Sequence, residues 1–193
     1  MSYKVSLFIL FLLMNTSCLF GQQNREGFAI VFGLSQPIIF DGFNLAISHK
    51  TKKLTFEYSH GLGLKIPESL KGDELESQSA DLEVVWTTGP GVGYNWFKNF
   101  DTRLEFKAHK NRVRFFDEIN TDYITYNIGV GAYYRIFPFK KLGLVVEPSI
   151  RYWPLIGSTL EDDEFIYQFN GVNYTHVAEN QDFIINVSIG WKF

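Results

Sequence analysis

Cysteine is nearly missing from this chain: Cys18 is the only one in 193 residues, and it sits in an apolar leader. Once that leader is removed, disulfides, thiol nucleophiles and cysteine metal sites are excluded. An excess of positive charge is missing too. Eighteen Lys and Arg stand against 21 Asp and Glu, a formal charge of −3, which gives no basis for nucleic-acid binding. Histidine is sparse, with four residues, and no His/Cys/carboxylate spacing suggests a transition-metal site. No cofactor is expected. Finally, no long apolar run follows residue 14, so no segment of the mature chain spans a bilayer as a helix.

The leader, residues 1–21, has the form of a secretory signal peptide. Lys4 supplies the positive start, and Val5 to Met14 form an apolar core. Gly21 is placed just before the cut, which leaves Gln22 as the first residue. A core of this length is too short to cross a ~30 Å hydrocarbon layer as a helix. Cys18 resembles a lipoprotein cysteine only weakly, because Asn15-Thr16-Ser17 lacks the aliphatic residue usual three places before one. Standard cleavage is expected, and residues 22–193 then form one domain.

What the chain has is aromatics and glycine: 19 Phe, 10 Tyr, 4 Trp and 16 Gly. That composition suits strands and turns. Alternation of apolar and polar residues predicts eight strands, at about 27–35, 43–48, 54–66, 82–96, 100–114, 124–136, 142–152 and 182–193. In the sixth, Ile124, Tyr126, Ile128 and Val130 oppose Thr125, Asn127, Gly129 and Gly131. In the last, Phe183, Ile185, Val187, Ile189, Trp191 and Phe193 oppose Asn186, Ser188, Gly190 and Lys192. Short turns at 50–53, 98–99 and 138–141 alternate with longer connections at 36–42, 67–80, 117–122 and 154–181. Short turns alternating with long loops are the mark of an even-stranded antiparallel up-and-down transmembrane barrel.

Alternation alone does not say which face is inside, and a soluble lipocalin-like barrel would bury the apolar parity. The polar faces decide the expectation. They are rich in glycine (Gly61, Gly63, Gly89, Gly91, Gly93, Gly129, Gly131, Gly143) and poor in charge, unlike a soluble surface with roughly 25–35% charged residues. Their charges also balance. Glu57, Glu83, Glu105 and Glu147 can meet Arg103, Lys107, Arg135 and Arg151 across a lumen, as a structural ion-pair network. Each cation turned toward lipid would cost ~2–4 kcal/mol.

The leader, the alternating strands and the terminal Ile-Asn-Val-Ser-Ile-Gly-Trp-Lys-Phe resemble the small bacterial outer-membrane β-barrel family of the OmpA/OmpX-like type. The resemblance covers the whole mature chain. It implies an outer-membrane location with both termini periplasmic, and Trp191 and Phe193 as the C-terminal signal for the barrel-assembly machinery. It also implies a monomer in contact with outer-membrane lipid and lipopolysaccharide. An eight-stranded interior is just filled by side chains, so no open pore is expected. The role left is structural or surface-interacting, through the external loops.

Two further readings concern the loops. Asn170-Gly171 lies between β-rich runs and predicts a hairpin tip. The last two strands are then expected to extend as a ribbon over 160–180, either a platform for an extracellular protein partner or a rigid loop that shields the barrel mouth. Lipid A-modifying enzymes exist on this scaffold, and an acyl hydrolase would need Ser, His and an acid near the rim. Ser59 and His60 are adjacent in a strand and face opposite sides. His176, near Ser158 and Asp182 in the last loop, is the remaining candidate. No catalytic residue is assigned.

Overall fold

The computed structural model describes residues 26–67, 80–116, 119–139, 142–178 and 181–193. The expectations for the leader and Cys18, the acidic run from Glu68 to Glu76, and Lys140 and Lys141 fall outside those residues. The strands are β1 (Gly27–Gly33), β2 (Phe43–Lys50), β3 (Leu54–Lys65), β4 (Asp81–Asn95), β5 (Phe100–Phe115), β6 (Ile119–Tyr134) and β7 (Leu144–Trp153). They continue as β8 (Leu155–Ser158), β9 (Glu164–Phe169), β10 (Val172–Val177) and β11 (Gln181–Lys192). A short helix, α1 (Ser35–Ile39), occupies the first long connection.

Seven neighbours in sequence, β1 to β7, pair antiparallel, and β11 joins β7 to β1. The sheet therefore closes into a barrel of eight staves with no edge left open there. Closure is carried by Ala29↔Lys192 through Gly33↔Ser188. Phe193 adds a last backbone bond, its N–H donating to the Phe28 carbonyl at 2.8 Å.

Period two sends one parity outward. Leu104, Phe106, Ile128, Val130, Ile150, Ile185 and Val187 are all exposed, and Arg103, Glu105, Lys107, Arg135 and Glu147 are buried inside. A soluble fold does the reverse, because an apolar belt of this extent facing water is unfavourable throughout. The polarity is that of a barrel solvated by lipid.

Some strands differ from the alternation read in the sequence. A bulge between Val84 and Trp86 adds one residue to β4. Above it Leu82 and Val84 point inward; below it Thr87 and Gly89 do. Glu83 consequently lies on the outer surface, opposite Lys65 and Arg112, and not in the lumen network. The reason is geometric: one extra residue flips the face of everything beyond it.

β2 runs on to Lys50, so the turn begins at Thr51, and the Lys50 side chain is inside the barrel. β6 begins at Ile119, so much of the loop expected at 117–122 is strand. The β5–β6 ladder is unbroken from Phe100↔Tyr134 to Phe115↔Ile119. A strand needs only about 9–11 residues to cross the membrane, and β5 has 16. Its upper end therefore stands clear of the apolar belt.

Beyond the belt the polarity inverts. On β5 the outward positions become Lys110, Arg112 and Arg114, while the inward ones become Val113 and Phe115. β9 and β10 form a separate two-stranded sheet whose inner face packs on this extension. Phe115 stacks on Tyr167 with centroids 4.4 Å apart, and Phe116 on Phe169 at 4.3 Å. Ala80, Leu82, Val113, Phe115, Tyr123, Tyr167 and Ala178 make one buried cluster. The ribbon expected as an extension of the last two strands is thus a folded-over cap, and its core is that of a small soluble sandwich. Pro154 interrupts the stave between β7 and β8, which lets the chain leave the barrel wall there.

Gly89 marks a close backbone approach in the wall. A Cβ there would collide with the Phe106 carbonyl oxygen. Next to it Pro90 has no N–H for β5, and the β4–β5 pairing is interrupted between Thr88↔Ala108 and Gly91↔Glu105. Gly89→Ala is expected to lower stability by about 1–3 kcal/mol through overpacking. Urea unfolding in detergent checks this; an unchanged midpoint would show that the wall yields at no cost.

Candidate functional site

The lumen is the most elaborate polar site. Among the described residues its buried charges are Lys50, Arg103, Lys107, Arg135 and Arg151 against Glu57, Asp101, Glu105 and Glu147. Every one occupies an inward position, because strand alternation puts i, i+2 and i+4 on one face.

Arg103 is the centre of the network. Its Nη2 donates to Glu147 Oε2 at 2.9 Å and its Nε to Asp101 Oδ2 at 2.7 Å, while Nη1 bonds the Glu57 carboxylate. Arg135 Nε also reaches Glu147 Oε2, at 2.5 Å, and its Nη2 donates to Ser48 Oγ at 3.0 Å. Lys50 Nζ pairs with Asp101 Oδ1 at 3.4 Å. A guanidinium with its donors spread over three carboxylates suits this role better than an ammonium. Tyr133 lies under it, the Arg103 Cζ 3.5 Å from the ring centroid, and gives its hydroxyl to Glu105. Gly131 makes room for that ring: a Cβ there would meet Tyr133 Cε2 at 2.6 Å.

Higher in the lumen, Lys107 Nζ donates to Ser59 Oγ at 2.6 Å and lies 3.8 Å from Glu105. Arg151 Nε donates to Ser149 Oγ at 3.2 Å. His109 and Trp153 face each other with ring centroids 6.1 Å apart.

Of the eight residues assigned to the network from sequence, seven line the lumen and Glu83 does not. Glu57, Arg103, Arg135 and Glu147 come together as one cluster, and Glu105, Lys107 and Arg151 form the layer above. Sequence reasoning passed over Asp101, Lys50 and Tyr133. Asp101 shares the parity of Arg103, and Lys50 that of Ser48, so the signal was present. Trp191 and Phe193 point outward and are exposed. Asn170 and Gly171 form the β9–β10 turn with φ of 50° and 80°, the left-handed pair expected of a type I′ hairpin.

In the cap, His176 is fully buried. Its Nε2 lies 3.0 Å from the Tyr123 hydroxyl, and Phe115 meets its ring edge-on at 5.3 Å. Ser158 Oγ accepts from the Leu160 N–H at 3.1 Å. His176 therefore faces a phenol, not a serine nucleophile. Desolvation alone pulls its pKa down to about 4, so the folded cap holds it neutral. A base whose pKa is depressed on folding loses stability as pH falls through the unfolded value of ~6.5 toward ~4. The loss is at most about 3 kcal/mol at ~1.4 kcal/mol per unit. Proteolytic cleavage of the cap is expected to rise between pH 7 and pH 4.5, less so in His176→Phe; equal pH profiles would refute the role of this histidine.

A closed eight-stranded antiparallel barrel with an ionic lumen, an apolar outside and a folded surface cap is a membrane-spanning barrel of the outer-membrane type. No family model and no curated protein matches the chain. Two solved structures resemble it. One is the Yersinia pestis outer membrane protein Ail in a phospholipid bilayer nanodisc, with 11% identity and a TM-score of 0.42 over 87% of this chain and 99% of that one. The other is the crystal structure of Ail, the attachment invasion locus protein of Yersinia pestis, with 12% identity and a TM-score of 0.41 over 86% and 94%. Likeness at that level carries no partner or activity across; the class rests on this chain's own pairing and polarity.

Proposed function

We propose that the protein is a monomeric barrel of a bacterial outer membrane, without an open pore, that acts at the cell surface through its cap. The observation that carries this reading is the cap itself. β9 and β10 are held on the β5–β6 extension by stacked aromatics, and their outer face presents Ile166 and Val177, 67% and 47% exposed. A rigid, partly apolar outer face is suited to contact with another macromolecule. The lumen side chains fill the interior, which favours a platform over a channel. In this reading both termini are periplasmic, Trp191 and Phe193 serve the barrel-assembly machinery, and the belt meets outer-membrane lipid and lipopolysaccharide.

The test is fractionation with heat-modifiability, followed by surface protease treatment of intact cells. Detergent-requiring material that shifts mobility on boiling, with cap residues reached from outside, is expected. Recovery as a soluble periplasmic protein would overturn the membrane placement. A large steady conductance in planar bilayers would overturn the closed lumen.

A further inference from the structure

The seam that closes the barrel is short. β1 has 7 residues, where a membrane crossing needs about 9–11, and its pairing with β11 ends at Gly33↔Ser188. β11 runs on past that point, from Val187 back to Gln181, with a ladder to β7 on its other side. β2 also rises above β1. Its last partner there is Phe32, opposite Leu45, while Phe43 and Asn44 pair with β3. Among the described residues no strand fills the notch between β11 and β2; α1 lies in it instead.

α1 is fastened on both sides of the notch. On the β11 side the Leu34 N–H donates to the Val187 carbonyl at 2.8 Å, and the Ser35 N–H to Asn186 Oδ1 at 3.4 Å. On the far side the Phe40 carbonyl accepts from the Lys65 N–H of β3 at 2.7 Å. Gln36 is buried on the lumen side of Gly33, where a Cβ would collide with its Oε1. Ile38, near the opposite side of the turn, is 76% exposed, and Ile39 is 48% exposed. α1 therefore runs from beside Ile185, an exposed residue of the apolar belt, to Lys65. There the exposed Lys65–Asp41 ion pair, at 2.9 Å, begins the polar rim.

From this placement we infer that α1 lies within the outer leaflet, with Ile38 and Ile39 docked among the acyl chains of its lipids. The inference rests on the membrane placement proposed above. The occupant follows from continuity: the exposed apolar side chains of α1 extend a surface that already faces lipid. A connection in water is ordinarily polar, and Pro37-Ile38-Ile39-Phe40 has no polar side chain. Hydrocarbon also penalises unpaired backbone groups, which a helical turn satisfies internally. Here the Ile38 and Phe40 N–H groups donate to the Leu34 and Gln36 carbonyls. The barrel then has a low side, where lipid reaches α1, and a high side, where β5 and β6 carry the cap clear of it.

The experiment places a nitroxide on Ile38→Cys in the chain with Cys18→Ser, which leaves no other cysteine, refolded into phosphatidylcholine vesicles. Relaxation by oxygen, which concentrates among acyl chains, is compared with relaxation by a water-soluble nickel chelate. Ile185→Cys on the belt and Asn170→Cys at the cap tip are the references. Oxygen is expected to dominate at Ile38, as at Ile185, and nickel at Asn170. Ile39→Cys gives the same reading where Ile38→Cys does not refold. Nickel dominating at Ile38 with oxygen dominating at Ile185 would overturn this inference alone, leaving a membrane barrel with α1 in water. Nickel dominating at Ile185 as well would overturn the membrane placement with it. Shielding of Ile38 from both reagents would also overturn it, because a second copy of the chain would then cover α1 in place of lipid.

Discussion

Arg103→Met is expected to destabilise the barrel by about 3–5 kcal/mol, the usual cost of leaving buried charges without their partner. The change keeps most of the side-chain length, so packing is little altered and the effect is electrostatic. Three carboxylates, Glu57, Asp101 and Glu147, lose their shared guanidinium. Glu147 keeps Arg135 and Asp101 keeps Lys50, but Glu57 has no second ion-pair partner among the described residues. The remedy follows from this difference. Glu57→Gln in the Arg103→Met background is expected to restore more stability than Glu147→Gln does. Urea unfolding in detergent, followed by the heat-dependent gel shift, reads both. An Arg103→Met protein as stable as the native one would mean that water in the lumen already screens the network.

Much of this network was legible because strand parity is a rigid rule. Once Arg103 is placed inside, Glu105 and Lys107 must follow, and the balance of signs across strands points to pairing. Glu83 escaped because a bulge leaves little mark in a local pattern: Val84-Val85-Trp86 reads as an apolar run in either register. The cap was hidden for a different reason. Phe115 and Tyr123 fall just outside the strands expected at 100–114 and 124–136, where the fifth strand turns polar and a loop is expected at 117–122. The alternation continues there with its sense reversed, since the inward face has passed from lumen to apolar core. Period-two patterns show that a strand exists; they do not show which solvent surrounds it. The hairpin tip at Asn170-Gly171 could be read directly, but where the hairpin folds depends on contacts between residues about fifty apart, such as Phe115 with Tyr167.

Phe115→Ala is expected to open the cap while leaving the barrel closed. Phe115 is fully buried and touches Phe165, Tyr167 and His176 in the hairpin. Removing such a ring from a packed cluster costs about 3–5 kcal/mol. The two-stranded β9–β10 sheet cannot absorb this alone, because an isolated hairpin is marginally stable at best in water. The barrel wall, by contrast, holds β5 between β4 and β6 by main-chain ladders that do not involve the ring. The loss should therefore fall on the weakest cooperative unit, the cap. Limited proteolysis is expected to cut the variant within the hairpin at low protease, with the heat-dependent mobility shift of the barrel intact. The surface contact proposed above depends on an ordered outer face, so Phe115→Ala should lose it without any change at Ile166 or Val177. If the variant instead lost the mobility shift together with cap protection, cap and barrel would fold as one unit, and the aromatic cluster would be part of what closes the barrel itself.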